Sequence, residues 1–323
     1  MSVLIRILAV VAAVNISAMP VHAQSGYPAK PIRYIVPYAP GGVVDNSARS
    51  LGQYFQEKMG QPIVIENRPG AGQAIALELA AKAIPDGYVL VTANEAGLVF
   101  LTVLRKSLPY DPLKDFAPIG TMFSTSFYLL VHPSLPVSTM GELIAYAKAN
   151  PGKLSFGSVG MGSSQHLAME LFKVKTGTDM VHVPYKVATA SMADLLAARI
   201  QVMFEGPGSL PHLRSGRLRG LATSSLHRSP AMPDLPPLTE AGVPGYEMSS
   251  WMGIATQAQV PRPIVERLGR ELGEWLRLPA TRDRFAAQSL ELMVSTPEDM
   301  AERIRSEIPV WAKVMRSAGI EPE

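Results

Sequence analysis

Within nine residues, Tyr38-Ala39-Pro40-Gly41-Gly42-Val43-Val44-Asp45-Asn46 brings together a phenol, two glycines, a carboxylate and an amide. Gly41 and Gly42 carry no side chain, so their N–H groups can approach a ligand closely. A helix starting just after them would aim its free N–H groups and positive dipole end at the same place. Such a turn suits a carboxylate or a phosphate without any basic side chain. It is also a common tight turn of α/β folds, so its meaning depends on its company. Ser158-Val159-Gly160-Met161-Gly162-Ser163-Ser164 is the second such segment, followed by a helix-forming run that contains His166. Ser163 and Ser164 can cap that helix or offer hydroxyls to an anion at its N-terminus. Asp45, just ahead of a helix, reads as an N-cap that also fixes its loop. Asn94, Glu95 and Glu205 close apolar runs, where strand ends face a ligand cleft.

Ser163, Ser164, His166 and Asp45 also supply the residue types of a serine hydrolase. The nucleophile-elbow pattern G-x-S-x-G is absent, however, and nothing in the spacing places a base beside a nucleophile. His166 reads as a packed or capping histidine. His132, His182, His212 and His227 stand alone in sequence, without HxxxH or HxH spacing, so no metal site is expected. There is no cysteine, which excludes disulfides, thiol catalysis and cysteine metal sites. No cofactor is required. The net charge of +3 comes from dispersed basic residues and does not predict nucleic-acid binding.

Stepping from these residues to the elements around them, strand, turn and helix alternate along the chain. Expected strands are 32–38, 62–66, 88–93, 127–131, 154–157, 181–184, 202–205, 218–223 and 250–256. Expected helices are 47–58, 74–83, 140–149, 165–176 and 190–198, then a helical tail from Pro263 broken at Pro279 and Pro297. Alternation of this kind predicts parallel sheet covered by helices. The expected fold class is α/β, two similar units joined by two extended crossing strands, as a hinged binding protein would need. Domain 1 is expected over 24–125 plus 248–323 and domain 2 over 126–247. Residues 1–23 read as a cleaved secretory signal: Arg6, an apolar stretch from Ile7 to Val14, and Val21-His22-Ala23 at the cleavage point.

Several blocks together resemble one family. They are Tyr27-Pro28, Lys30-Pro31-Ile32-Arg33, the Pro37–Asp45 loop, Glu66-Asn67-Arg68-Pro69-Gly70-Ala71-Gly72 and Pro85-Asp86-Gly87-Tyr88. Leu108-Pro109-Tyr110-Asp111-Pro112, the Ser158–Ser164 loop with His166-Leu167, and Val181-His182-Val183-Pro184-Tyr185-Lys186 follow. They are similar to the Bug family, the substrate-binding receptors of tripartite tricarboxylate transporters. The resemblance spans the mature chain. It implies a two-domain periplasmic-binding-protein clamp of the type II kind, joined by two crossing strands, that closes on a small carboxylate and presents it to membrane transporter subunits. A receptor acting on a sensor kinase would use the same binding chemistry. The resemblance also implies that amides of the 39–45 and 158–166 loops hold the ligand, partly through ordered water. Tyr38, Gly41, Gly42, Val43, Val44, Asp45, Asn94, Glu95, Ser158, Gly160, Gly162, Ser163, Ser164 and Glu205 are the expected ligand-binding residues.

The chain departs from the family pattern where a cleft would lie. Val43 and Val44 stand where a small residue and a hydroxyl residue are usual. Glu95-Ala96-Gly97-Leu98 replaces a Gly-Thr/Ser-His series, and Glu205-Gly206 replaces Asp-Asn. Val187 and Gln73 stand at glycine positions. These exchanges predict a less polar pocket, suited to an aromatic or long aliphatic carboxylate, or to a ligand that also carries an amine beside Glu95. Trp251 belongs either to the cleft or to the core.

Overall fold

The computed structural model describes residues 26–322, so the expected signal segment 1–23 lies outside the described residues. The first half of the chain forms β1 (Ile32–Val36), α1 (Val43–Met59), β2 (Ile63–Asn67), α2 (Ala74–Ala81) and β3 (Val89–Asn94). A π-helical turn over Ala96–Phe100 then runs into the short α3 (Leu101–Leu104), followed by β4 (Phe116–Ser126). Next come β5 (Tyr128–Val131), α4 (Met140–Ala149), β6 (Ser155–Ser158), α5 (Ser164–Thr176), β7 (Val181–Pro184), α6 (Ala188–Leu196), β8 (Val202–Glu205), α7 (Leu210–Arg214) and β9 (Arg219–Thr223). The chain returns through β10 (Ser249–Gln257) and ends in α8 (Arg262–Arg277), α9 (Pro279–Ala287), β11 (Glu291–Leu292) and α10 (Pro297–Ser317).

Two sheets result. The first has the order β11-β4-β10-β3-β1-β2 and the second β7-β6-β8-β5-β9. Each is mixed, where the alternation had predicted parallel pairing throughout. β1 runs parallel to β2 and β3, but β10 is antiparallel to β3 and β4. β6 runs parallel to β7 and β8, but β5 is antiparallel to β8 and β9. The reversal has a simple cause. The chain passes between the sheets along β4 and back along β10, and these two passes lie side by side in opposite directions.

β4 was not foreseen. Its sequence, Phe-Ala-Pro-Ile-Gly-Thr-Met-Phe-Ser-Thr-Ser, carries a proline and a glycine and lacks polar–apolar alternation. It is nevertheless mostly buried, and it pairs with β10 through two register shifts, one that skips Met122 and one that skips Ile119, between Pro118 and Gly120. Gly120 sits at φ +154, and a side chain there would meet the Ser295 carbonyl at 2.9 Å. Proline and glycine thus flank the irregularity at Ile119, where their defects are tolerated.

One apolar layer packs Tyr34, Phe55, Ile254, Leu268, Trp275 and Phe285 between the first sheet and α1, α8 and α9. A smaller one lies on one face of the second sheet, around Tyr128, Leu195 and Met203. The largest runs without a break from Val91, Trp251 and Trp311 to Phe156, Leu167 and Phe204, joining both sheets behind the crossing. Register fixes which ends meet. Ser126 pairs with Ser249, Asn94 with Met252 and Tyr128 with Glu205. The carboxyl ends of β3 and β8 therefore both lie next to the crossing.

Candidate functional site

At the end of β1 the chain turns through Gly41, at φ +87, into α1. The N-cap is Gly42, so Asp45 is not the cap: it sits three positions inside the helix, which starts four residues earlier than expected. Asp45 is buried, and it holds the loop from within. Its Oδ2 accepts the Gly41 N–H at 2.8 Å and Arg49 Nε at 2.9 Å, and its Oδ1 accepts Asn67 Nδ2 at 2.8 Å. Burial alone would raise its pKa, but Arg49, the Gly41 amide and Asn67 outweigh that and hold it at about 2. The Gly41 amide is consequently committed to the protein. The helical ladder opens with Asn46 N–H to the Gly42 carbonyl, so the amides of Val43, Val44 and Asp45 precede it. Val43 is exposed and Val44 half-buried at that end.

Behind the loop, Tyr38 is braced rather than free. Its hydroxyl receives Asn94 Nδ2 at 2.8 Å and Gln73 Nε2 at 3.0 Å, and Asn94 Oδ1 accepts the Gly97 N–H at 3.1 Å. Burial, with Glu95 nearby, keeps the phenol firmly protonated. Gln73, at an expected glycine position, retains the left-handed backbone with φ +88. Its strain persists because the side chain is locked onto Tyr38.

The loop after β6 is tied to itself. Ser158 Oγ, fully buried, donates to the Gly160 carbonyl at 3.0 Å, receives the Gly160 N–H at 3.1 Å and lies 2.7 Å from His182 Nε2. Ser163 is the N-cap of α5, accepting the His166 N–H at 3.3 Å and donating to the Gly160 carbonyl at 2.7 Å. The Gly162 N–H donates to His166 Nδ1 at 3.0 Å. His182, solitary in sequence, stacks on His166 with centroids 4.0 Å apart, and both rings stack against Phe156. Burial lowers the pKa of His166 to about 3 and of His182 to about 4, with the Lys173 ammonium adding to both. Two neutral imidazoles thus serve as hydrogen-bonding struts. The Ser158–His182 contact also lacks the parts of a nucleophile–base couple: the hydroxyl is buried and the imidazole rests on rings instead of an orienting carboxylate.

Glu95 and Glu205 come from different sheets. Glu95 is almost wholly buried (1 % exposed) and spends its oxygens on Ser250 Oγ at 2.6 Å and the Trp251 N–H at 3.0 Å. Ser164 Oγ, at the start of α5, donates to the same carboxylate at 3.4 Å. Burial pushes the Glu95 carboxyl up to about 7; the Ser250 bond offsets part of this and the Glu307 carboxylate adds to it. Glu205 accepts the Gly206 N–H at 2.8 Å on Oε1, while Oε2 is buried without a partner among the described residues. Burial raises its pKa too, against the Gly206 amide and the Gln165 side chain. Trp251 lies in the core, its indole N–H donating to Glu307 at 3.1 Å.

The predicted residues thus fall into two groups around the α1 and α5 N-termini, with Glu95 touching both sheets' elements. Four supporting residues escaped the sequence reading: Arg49, Asn67, His182 and Ser250. Only the last two of these depend on contacts that no spacing announces. Asn67 and Arg49 sit at a strand end and one turn into a helix, where a search for partners of a buried Asp45 would have found them.

Two α/β lobes joined by a paired crossing, with helix N-termini at the strand ends beside it, define a periplasmic-binding-protein clamp. The sequence profile described as tripartite tricarboxylate transporter family receptor matches residues 47–320, and the chain belongs to that family. It is 37% identical to Protein BugT of Bordetella pertussis over 304 residues, covering 94% of this chain and 93% of that protein. Among solved structures it is similar to R. palustris Rpa4515 with adipate, at 33% identity and a TM-score of 0.75, covering 92% of this chain and 100% of that one. It is also similar to MatC from Rhodopseudomonas palustris with bound malate, at 27% identity and a TM-score of 0.71, covering 89% and 99%.

Proposed function

We infer that this chain is a periplasmic receptor that captures a small carboxylate between two lobes, 24–125 with 248–323 and 126–247, and hands it to membrane transporter subunits. The observation that carries this reading is the pairing of two helix N-termini, α1 and α5, at strand ends beside one crossing. The ligand carboxylate sits on amides at the start of α1, and the Ser158–Ser164 loop closes over the other end. Both loops are held rigid by Asp45 and by the His166–His182 stack, so little ordering is needed on binding. The adipate and malate in the related structures support a carboxylate as the ligand class. Residues 1–23 direct export and are removed.

A thermal-shift screen of residues 24–323 tests the reading. The panel covers linear diacids, citrate, aromatic carboxylates and amino acids, after native mass spectrometry has checked for ligand carried through purification. Selective binding to the folded state stabilises by RT ln(1 + [L]/Kd), about 2.7 kcal/mol at a hundredfold excess over Kd. A ligand-free protein that responds to no carboxylate would refute the receptor reading.

A further inference from the structure

The N-termini of α1 and α5 differ in the charge already standing beside them. At α1 the nearby carboxylate, Asp45, is neutralised by Arg49 and turned onto the Gly41 amide and Asn67. At α5 two protein carboxylates converge from different elements. Glu95 reaches Ser164, but Ser250 and Trp251 occupy it, so it is not the carboxylate that a ligand amine would meet. Glu205 lies at the end of β8 beside the Gln165 side chain, with Oε2 buried and making no hydrogen bond of normal geometry. A buried carboxylate oxygen with unused lone pairs calls for a donor. Next to it opens a recess of about 350 Å3, walled on the α6 side by Ala188, Met192, Ala193 and Leu196 and completed by Thr189, Gly208 and His212.

We propose that the cleft selects a monocarboxylate whose far end carries a hydrogen-bond donor, an ammonium above all, received by Glu205 Oε2. The aliphatic body of the ligand lies along the α6 recess. This rests on the carboxylate-receptor reading and narrows its ligand class. A second ligand carboxylate at the same place would meet Glu205 as a like charge in a site of low effective dielectric. Arg49 is already paired with Asp45, and Lys186 stands exposed on the loop between β7 and α6.

Calorimetric titration of ligands matched in length tests this. The sets are propanoate, β-alanine and malonate; butanoate, 4-aminobutanoate and succinate; and hexanoate, 6-aminohexanoate and adipate. In the length that binds best, the amino acid is expected to bind at least about tenfold tighter than the diacid, a difference of about 1.4 kcal/mol. Glu205→Gln, which keeps the shape and is checked for an unchanged melting curve, is expected to weaken the amino acid and strengthen the diacid. A wild-type preference for the diacid that Glu205→Gln leaves intact would overturn the proposal while the receptor reading stands. Diacid binding lost in Lys186→Ala would do the same, by placing a second carboxylate on that rim. No binding of these ligands, citrate or aromatic carboxylates would overturn both.

Discussion

Asp45 is held at about 2 by Arg49, Gly41 and Asn67, whereas burial holds Glu95 at about 7 against its ordinary 4.5. Their contributions to stability therefore have opposite signs. Asp45 stabilises the fold above its unfolded pKa, and this is lost as the pH falls towards 2. Glu95 binds its proton more tightly in the fold, so its contribution is full below about 4.5, declines as the pH rises to about 7 and is then constant. Glu95→Gln removes that decline. Relative to the variant, the wild type is expected to lose on the order of 3 kcal/mol between pH 4.5 and pH 7.5. Denaturant unfolding of both proteins at the two pH values checks this, and parallel stability curves would contradict it. The sequence marked Glu95 and Glu205 as cleft carboxylates because both close apolar strands. It could not distinguish the occupied one from the vacant one, since Ser250 and Trp251 lie 155 and 156 residues from Glu95.

At the scale of elements, most strands and helices were legible to within a few residues, because turn residues and apolar periods agree. The exceptions have physical causes. α1 begins at Val43 because Gly42, without a side chain, serves as the N-cap and frees Asp45 to reach back to the loop. β4 was invisible because Pro118 and Gly120 mask a strand whose pairing is decided by β10. In the Ser158–Ser164 loop, the sequence allows Ser163 and Ser164 either to cap α5 or to donate to an anion; Ser163 is the cap, and its hydroxyl, like that of Ser158, serves the loop itself. What stiffens it is the stack of His166 on His182, sixteen residues apart, for which no sequence period exists. Because burial holds both rings neutral, their NMR resonances are expected not to titrate between pH 5 and 8. A midpoint near 6.5 in either ring would show the loop to be open to water. It would also make ligand capture pH-dependent through this loop, which the present geometry does not allow.

The whole molecule turns on two adjacent passes of chain, and the sequence located them only as extended segments near 126 and 248. The structure adds how they are held. Ser224, just after β9 and fully buried, sits between them. Its N–H donates to the Phe127 carbonyl at 2.8 Å, and its carbonyl accepts the Met248 N–H at 2.9 Å. Its hydroxyl accepts the Phe127 N–H at 2.9 Å and donates to the Met248 carbonyl. On the other side of this clip the passes stay paired as Ser126 with Ser249. Only Phe127 separates β4 from β5, and the clip holds Met248, just before β10, beside it, so the proposed closure would come from small backbone changes shared by both passes, a population shift driven by the ligand's differential affinity. Ser224→Ala keeps the main-chain bonds but leaves a buried N–H and a buried carbonyl without the hydroxyl. It is expected to cost about 1–3 kcal/mol of stability. Amide exchange should quicken at Phe127 and Met248 while the β1–β3 amides stay protected. Ligand binding should weaken in parallel, because a looser crossing spreads the free protein over lobe angles that do not bind. Unchanged exchange at Phe127 with an unchanged unfolding midpoint would show that the crossing is held by strand pairing alone.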